Sequence, residues 1–225
     1  MNPTMRKLLY SRRSFFFTLL LLLAIASASI LFFGKTFNTG SIIGHSFWLN
    51  VFFVNYTFMG DTVFAICLAA YFIFILKKQQ QGFTVLSGVI LAELFVQLVK
   101  NIGGSSATVL FEQGQYLFPA SLSNDLDIIS GHTTIAFALA TVLVLTIKDR
   151  GWQLPLLAVA SLLGFSRMYL AQDLLQDVLL AAVVGTVSGI AAVYFAYYFK
   201  GSKYLRKLFT LDKEGMMQER NIQPI

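Results

Sequence analysis

Apolar residues run in long, nearly unbroken stretches, and the polar residues collect between them. Several of these runs approach or exceed the roughly 20 residues that carry a helix across a bilayer. They predict spans over residues 14–33, 55–76, 83–99, 132–147, 154–170 and 175–199. A further apolar stretch, 42–54, is broken by His45 and Asn50. Its Phe47, Trp48, Phe52 and Phe53 suit a segment lying in the membrane interface. The first run has the basic flank of a signal peptide, but it is too long, and Ala26-Ser27-Ala28 lies inside it. A retained anchor is expected. The expected fold class is all-α, a polytopic membrane protein with six transmembrane helices in a bundle.

Composition agrees. Of 225 residues, 56% are apolar and only 12% charged, with 22 Phe and a mean hydropathy of +0.70. A soluble domain carries about twice that share of charge. A disordered chain, a collagen, a coiled coil and an ordinary soluble globule are all excluded. The single Cys67 cannot form an internal disulfide, and Cys/His zinc spacings are absent from the sequence.

The net charge of +6 changes the picture only through its distribution. The N-terminus (Arg6, Lys7, Arg12, Arg13) and the turns at Lys77-Lys78 and Lys148–Arg150 fall on one side. So does the tail, with Lys200, Lys203, Arg206, Lys207, Lys213 and Arg220. Together they hold 14 of the 17 basic residues. Only Lys35, Lys100 and Arg167 fall on the other side. The positive-inside rule therefore predicts both termini in the cytoplasm. The basic excess is a topology signal, and nucleic acid is not an expected partner. The domain plan is a basic N-terminus at 1–13, a membrane domain at 14–199 and a basic cytoplasmic tail at 200–225. The tail is expected to lie on an anionic leaflet. The loop 101–130 on the outer side is long enough to cover a site, and carries Glu112, Asp125 and Asp127 without a Lys or Arg.

The remaining ionisable groups gather at one level. Lys100 ends the third span and His132 opens the fourth. Arg167 nears the end of the fifth, and Asp173 and Asp177 lead into the sixth, all on the outer side. A charge at membrane depth is costly and is usually placed for a purpose. Two cations, a His and two carboxylates at one depth can form a pocket for an anion. Each residue also has a plain structural reading. Lys100 can snorkel, Arg167 can pair with Asp173 or Asp177, His132 can simply start a helix, and Ser130-Gly131 can be an N-cap and turn. Glu93, inside the third span, suits a helix-to-helix hydrogen bond, or a path in a lipid-phosphate transporter.

The words around these residues resemble those of the type 2 phosphatidic acid phosphatase superfamily, the lipid phosphate phosphatase and haloperoxidase-like group. Ser130-Gly131-His132 is similar to the second signature, Pro-Ser-Gly-His. Ser166-Arg167 with Asp177 ten residues on is similar to the third, Ser-Arg, five residues, His, three residues, Asp. Lys100 stands where the first begins, Lys, six residues, Arg-Pro. Asn55–Asp61, with Gly60-Asp61, is similar to the start of the second span in bacterial members. The resemblance covers about residues 50–198. It implies a six-helix bundle and a phosphatase that needs neither metal nor cofactor. In the family a His forms a phosphohistidine, an Asp orients it, a second His protonates the leaving group, and Lys and Arg hold the phosphate. Carried over, catalytic roles fall on His132, Asp173 and Asp177, and phosphate binding on Lys100, Ser130, Gly131 and Arg167.

The signatures are degenerate. Asp173 stands at the nucleophile position, Ala107-Thr108 at Arg-Pro, and Ile129 at the Pro before Ser130. A carboxylate brings negative charge toward a phosphate dianion, where a neutral imidazole would not. Ala107 cannot replace an Arg fork. His45, the other His, has only its depth in favour of a surrogate nucleophile role and is not the expected one. Two functions therefore stay open. One is a catalytically impaired protein that binds a lipid phosphate head group, or holds a protein partner in a membrane assembly. The other is an active, metal-independent phosphatase of a lipid phosphate or isoprenyl diphosphate, such as phosphatidic acid or undecaprenyl diphosphate. The implied home is a bacterial inner membrane, with the pocket facing the periplasm.

Overall fold

A computed structural model describes residues 3–33, 46–103, 129–170 and 172–199. Eight α-helices occur among them and no strand: α1 (Pro3–Ser11), α2 (Arg13–Phe33), α3 (Phe47–Thr57), α4 (Thr62–Ala70), α5 (Gln79–Gly103), α6 (Gly131–Thr146), α7 (Gln153–Tyr169) and α8 (Leu175–Phe199). A 3₁₀ turn, Phe58–Gly60, joins α3 to α4, and a π turn, Tyr71–Ile75, ends α4. By length and composition, α2, α5 and α8 suffice to cross a membrane, and the α3–α4 pair forms a fourth unit bent by 59°. His45, Ala107-Thr108, most of the loop 101–130 and the tail lie outside the described residues.

The middle of the bundle is α6. Its sequence is apolar on all sides, the pattern of a helix surrounded by other helices. Twelve of its residues, from Thr133 to Leu145, are buried. Ile135, Leu139 and Val142 face α4, α5 and α8, and Phe137, Ala140 and Val144 face α2 and α7. α8 comes closest. A Cβ at Gly185 would lie 2.3 Å from the Thr134 carbonyl oxygen, and one at Gly189 would lie 2.8 Å from that of Ala138. These glycines are four residues apart and so share one face. Small residues at this spacing let membrane helices approach backbone to backbone.

The stretch at 42–54 is described from residue 46. From Phe47 onward it is helix packed against α7. Phe53 is buried, with its ring centroid 4.7 Å from that of Tyr169 and 5.8 Å from Phe165. Only Trp48, Phe52 and their neighbours face outward. The break falls at Asp61 rather than near residue 54, because Asp61 Oδ1 accepts from the Val63 N–H at 2.8 Å and caps α4. Gly60 lets the bend press on α6, since a Cβ there would lie 2.6 Å from the His132 carbonyl oxygen.

The carbonyls at the end of α6 and just beyond it need donors, because no further helical turn serves them. Arg12, only 4% exposed, serves the three residues that follow the helix. Its Nη2 donates to the carbonyls of Ile147 and Lys148, and its Nη1 to that of Asp149. A cation here also opposes the negative end of the helix dipole. Burial, then the neighbouring Arg150, holds the Arg12 pKa below its ordinary value, against the pull of Asp149. Gln81 Nε2 adds a hydrogen bond to the Thr146 carbonyl at 3.1 Å.

Two stability predictions follow from these contacts. Gly185→Ala should destabilise the folded protein by about 1–3 kcal/mol through overpacking, read as a lower melting midpoint in detergent. Val187→Ala, on the exposed side of the same helix, should change it little. Arg12→Ala should cost about 1–3 kcal/mol by leaving buried carbonyls without donors. A midpoint for Arg12→Ala equal to that of Arg13→Ala would contradict the clamp.

Candidate functional site

The predicted residues lie near the ends of α5 and α7 and the starts of α6 and α8. Ser130 is the N-cap of α6 and is buried. Its Oγ accepts from the Thr133 N–H at 3.3 Å and donates to Thr133 Oγ1 at 2.8 Å, while its carbonyl accepts from Thr134 Oγ1 at 2.8 Å. The N-cap reading of Ser130 is therefore what its contacts describe. Among the described residues, an added Cβ at Gly131 would meet nothing within 4 Å. Helix-start amides suit an anion. His132 follows, half-buried.

Ser166 is fully buried, and its Oγ donates to the Leu163 carbonyl at 2.7 Å within α7. Arg167 lies in the last turn of that helix. Its Nε donates to Asp173 Oδ2 at 2.7 Å, and its Nη1 donates to Gln172 Oε1. The Arg167 and Asp173 side chains are 16% and 5% exposed. The Arg167 carbonyl accepts from the N–H groups of Gln172 and Asp173, which folds the turn back on the arginine. Asp177 is buried in the first turn of α8, and its Oδ2 accepts from the Leu174 N–H at 3.0 Å. One of its oxygens thus closes a helix start. Lys100 is half-buried in the last turn of α5.

Arg167 and Asp173 lie within electrostatic reach of His132, and so do Asp61 and Glu93. The last two were given no part in the pocket on sequence grounds. Glu93 makes the helix-to-helix hydrogen bond expected of it, accepting from Thr62 Oγ1 at 2.8 Å. Lys100 stands seven residues beyond Glu93, on the same face of α5 and about 10 Å further along. Two signals could have placed these carboxylates. Glu93 is an isolated acid in an apolar run, and Asp61 follows a glycine as an N-cap would. Neither signal says that α4, α5 and the start of α6 meet. Among the described residues, no three of His, Cys, Asp and Glu converge as a metal site would need.

Residues 81–200 match the PAP2 superfamily. Two solved structures are similar. One is LpxE of Aquifex aeolicus, at 25% identity and a TM-score of 0.55, over 67% of this chain and 88% of that one. The other is a transmembrane PAP2-type phosphatidylglycerolphosphate phosphatase from Bacillus subtilis. It shows 21% identity and a TM-score of 0.50, over 86% of this chain and all of that one. At that identity the second likeness speaks for the fold alone. A search of curated proteins finds no significant match. The family match spans more than half of the chain and includes Lys100, Ser130-Gly131-His132, Ser166-Arg167 and Asp177, so this all-helical, integral membrane chain belongs to the PAP2 superfamily.

Proposed function

We propose that this protein is a catalytically impaired PAP2-fold membrane protein that recognises a lipid phosphate, alone or within a membrane assembly, and does not hydrolyse it rapidly. One observation carries the reading. Asp173, at the position where the family signature has its nucleophilic His, has a side chain only 5% exposed that pairs with Arg167 at 2.7 Å. The Arg167 fork that would grip a phosphate already holds an internal carboxylate, with Gln172 on its other arm. A phosphate dianion entering beside His132 meets that carboxylate, and no imidazole stands at residue 173 to attack phosphorus. Lys100, Ser130, Gly131 and Arg167 form the phosphate-binding side of the pocket, and His132, Asp173 and Asp177 occupy the catalytic positions.

The surrounding reading goes with it. Six spans cross a bacterial inner membrane, with α3 and α4 together forming the second. Both termini lie in the cytoplasm, and the pocket faces the periplasm. The grouping of Lys77-Lys78, Arg12 and Arg150 at the end opposite His132 supports this orientation. An active phosphatase is the second reading. It is favoured by the carboxylates around His132, since Asp61, Glu93 and Asp173 could tune a proton donor.

Release of inorganic phosphate separates the two. Detergent-purified protein should release none from phosphatidic acid, phosphatidylglycerol phosphate or undecaprenyl diphosphate. Asp173→His combined with Ala107→Arg and Thr108→Pro should gain activity. Release by the native chain that vanishes in Asp173→Asn would establish the phosphatase instead. The ion pair also has a binding consequence. Asp173→Asn removes a negative charge beside Arg167 and should tighten orthovanadate binding about tenfold or more, with folding weakened by about 1–3 kcal/mol. Unchanged vanadate affinity in this variant would show that Arg167 does not face the anion.

A further inference from the structure

A second group of charges lies at the other end of the bundle. α1 turns Met5, Leu8 and Leu9 onto the core built by α4, α5 and α6. This three-to-four-residue spacing leaves Arg6, Lys7 and Tyr10 exposed on the opposite side. Arg6, Lys7, Tyr10, Arg13, Arg150 and Leu154 line a cleft of about 1000 Å³. Such a volume accommodates a lipid head group. Arg13 is held over Tyr10, with Nη1 donating to the phenol oxygen at 3.3 Å and the guanidinium carbon 5.4 Å from the ring centroid. Among the described residues, no acidic residue lines the cleft. Asp149, beside Arg150 in the chain, accepts from the Gly151 N–H at 2.9 Å. Among the described residues no carboxylate pairs with any of the four cations. Four like charges around one cleft repel each other, and a bound anion would relieve that repulsion.

The position of the cleft points to the source of the anion. It sits where α2 begins and α6 has ended, so the length of α6, about 24 Å, separates it from His132. Over the next two turns into the membrane, α2 exposes Phe17, Leu20 and Leu21, and the neighbouring α7 exposes Leu154 at the edge of the cleft. Apolar side chains above a basic cleft match the layout of a phospholipid, with head group below and acyl chains above. A soluble phosphate would need only the lower half. We propose that this cleft binds the phosphate of an anionic phospholipid in the leaflet opposite His132. Arg6, Lys7, Arg13 and Arg150 surround the head group, and the acyl chains lie along Phe17, Leu20 and Leu154.

The two tryptophans make the test local. Trp152 is half-exposed between Gly151 and Gln153, both of which line the cleft, while Trp48 belongs to α3. In full-length Trp48→Phe protein in detergent, phosphatidylglycerol with brominated acyl chains should quench Trp152. Its apparent affinity should exceed that of brominated phosphatidylcholine about tenfold. Arg6→Gln with Arg150→Gln should abolish the preference. Lys77→Gln with Lys78→Gln removes as much charge from the same end of the bundle and should preserve it. No preference in the parent protein, or equal losses in the two double variants, would overturn the proposal. Displacement of the brominated lipid by excess inorganic phosphate would overturn the lipid assignment.

Discussion

A short apolar helix in the centre of a membrane bundle has backbone groups at both ends that lipid cannot satisfy. α6 is that helix, and the arrangement at each of its ends answers this constraint. At its end, Arg12 reaches in from the chain between α1 and α2, and Gln81 reaches in from α5. At its start, Ser130 Oγ accepts from the Thr133 N–H. The far end fixes α1 and α2 against α7. The starting end is where His132 and Arg167 come within reach of each other. The positive end of the helix dipole at this start favours negative charge.

The close approach of α8 follows from the same centre. With Gly185 and Gly189 against the α6 backbone, α8 cannot shift outward without opening a gap along its length. Its first turn, which carries Asp177, is therefore set by contacts two and three turns away. The α7–α8 turn must bridge whatever distance remains. It does so by folding onto the Arg167 carbonyl. The register of the candidate pocket is thus an outcome of helix packing, and the pocket side chains take places the packing has made.

Much of this was legible in the sequence, for a physical reason. Helices in lipid need long apolar runs, so α8 occupies the run at 175–199 and α2 and α7 fall within a residue of theirs. The Ser130 cap was legible because a cap is a local matter. The bend at Asp61 was legible only in part, since its cap is local but its contact with α6 needs Gly60 to meet the backbone of His132, more than seventy residues away. Arg12 was opaque. Among Arg6, Lys7, Arg12 and Arg13 the sequence offers no distinction, and only the fold buries one of them. The same holds for Thr62 and Glu93, whose hydrogen bond requires two helices to be side by side.

The replacement at residue 173 looks drastic as chemistry and mild as geometry, and the turn explains why. Backbone hydrogen bonds from residues 172 and 173 to the Arg167 carbonyl set the course of the chain there, and they do not depend on which side chain residue 173 carries. Any residue at that position is delivered beside the arginine. An imidazole so placed would stand next to a phosphate held by Arg167. A carboxylate so placed neutralises the arginine itself. A carboxylate there is compatible with the turn and the helix start, and gives residue 173 a negative charge where the family signature has a neutral ring. Separating the partners of this pair leaves a charge unmatched, so under the proposed reading a phosphate would compete with Asp173 for the same guanidinium. The impaired hydrolysis proposed above and the retained fold would then both follow from one backbone arrangement.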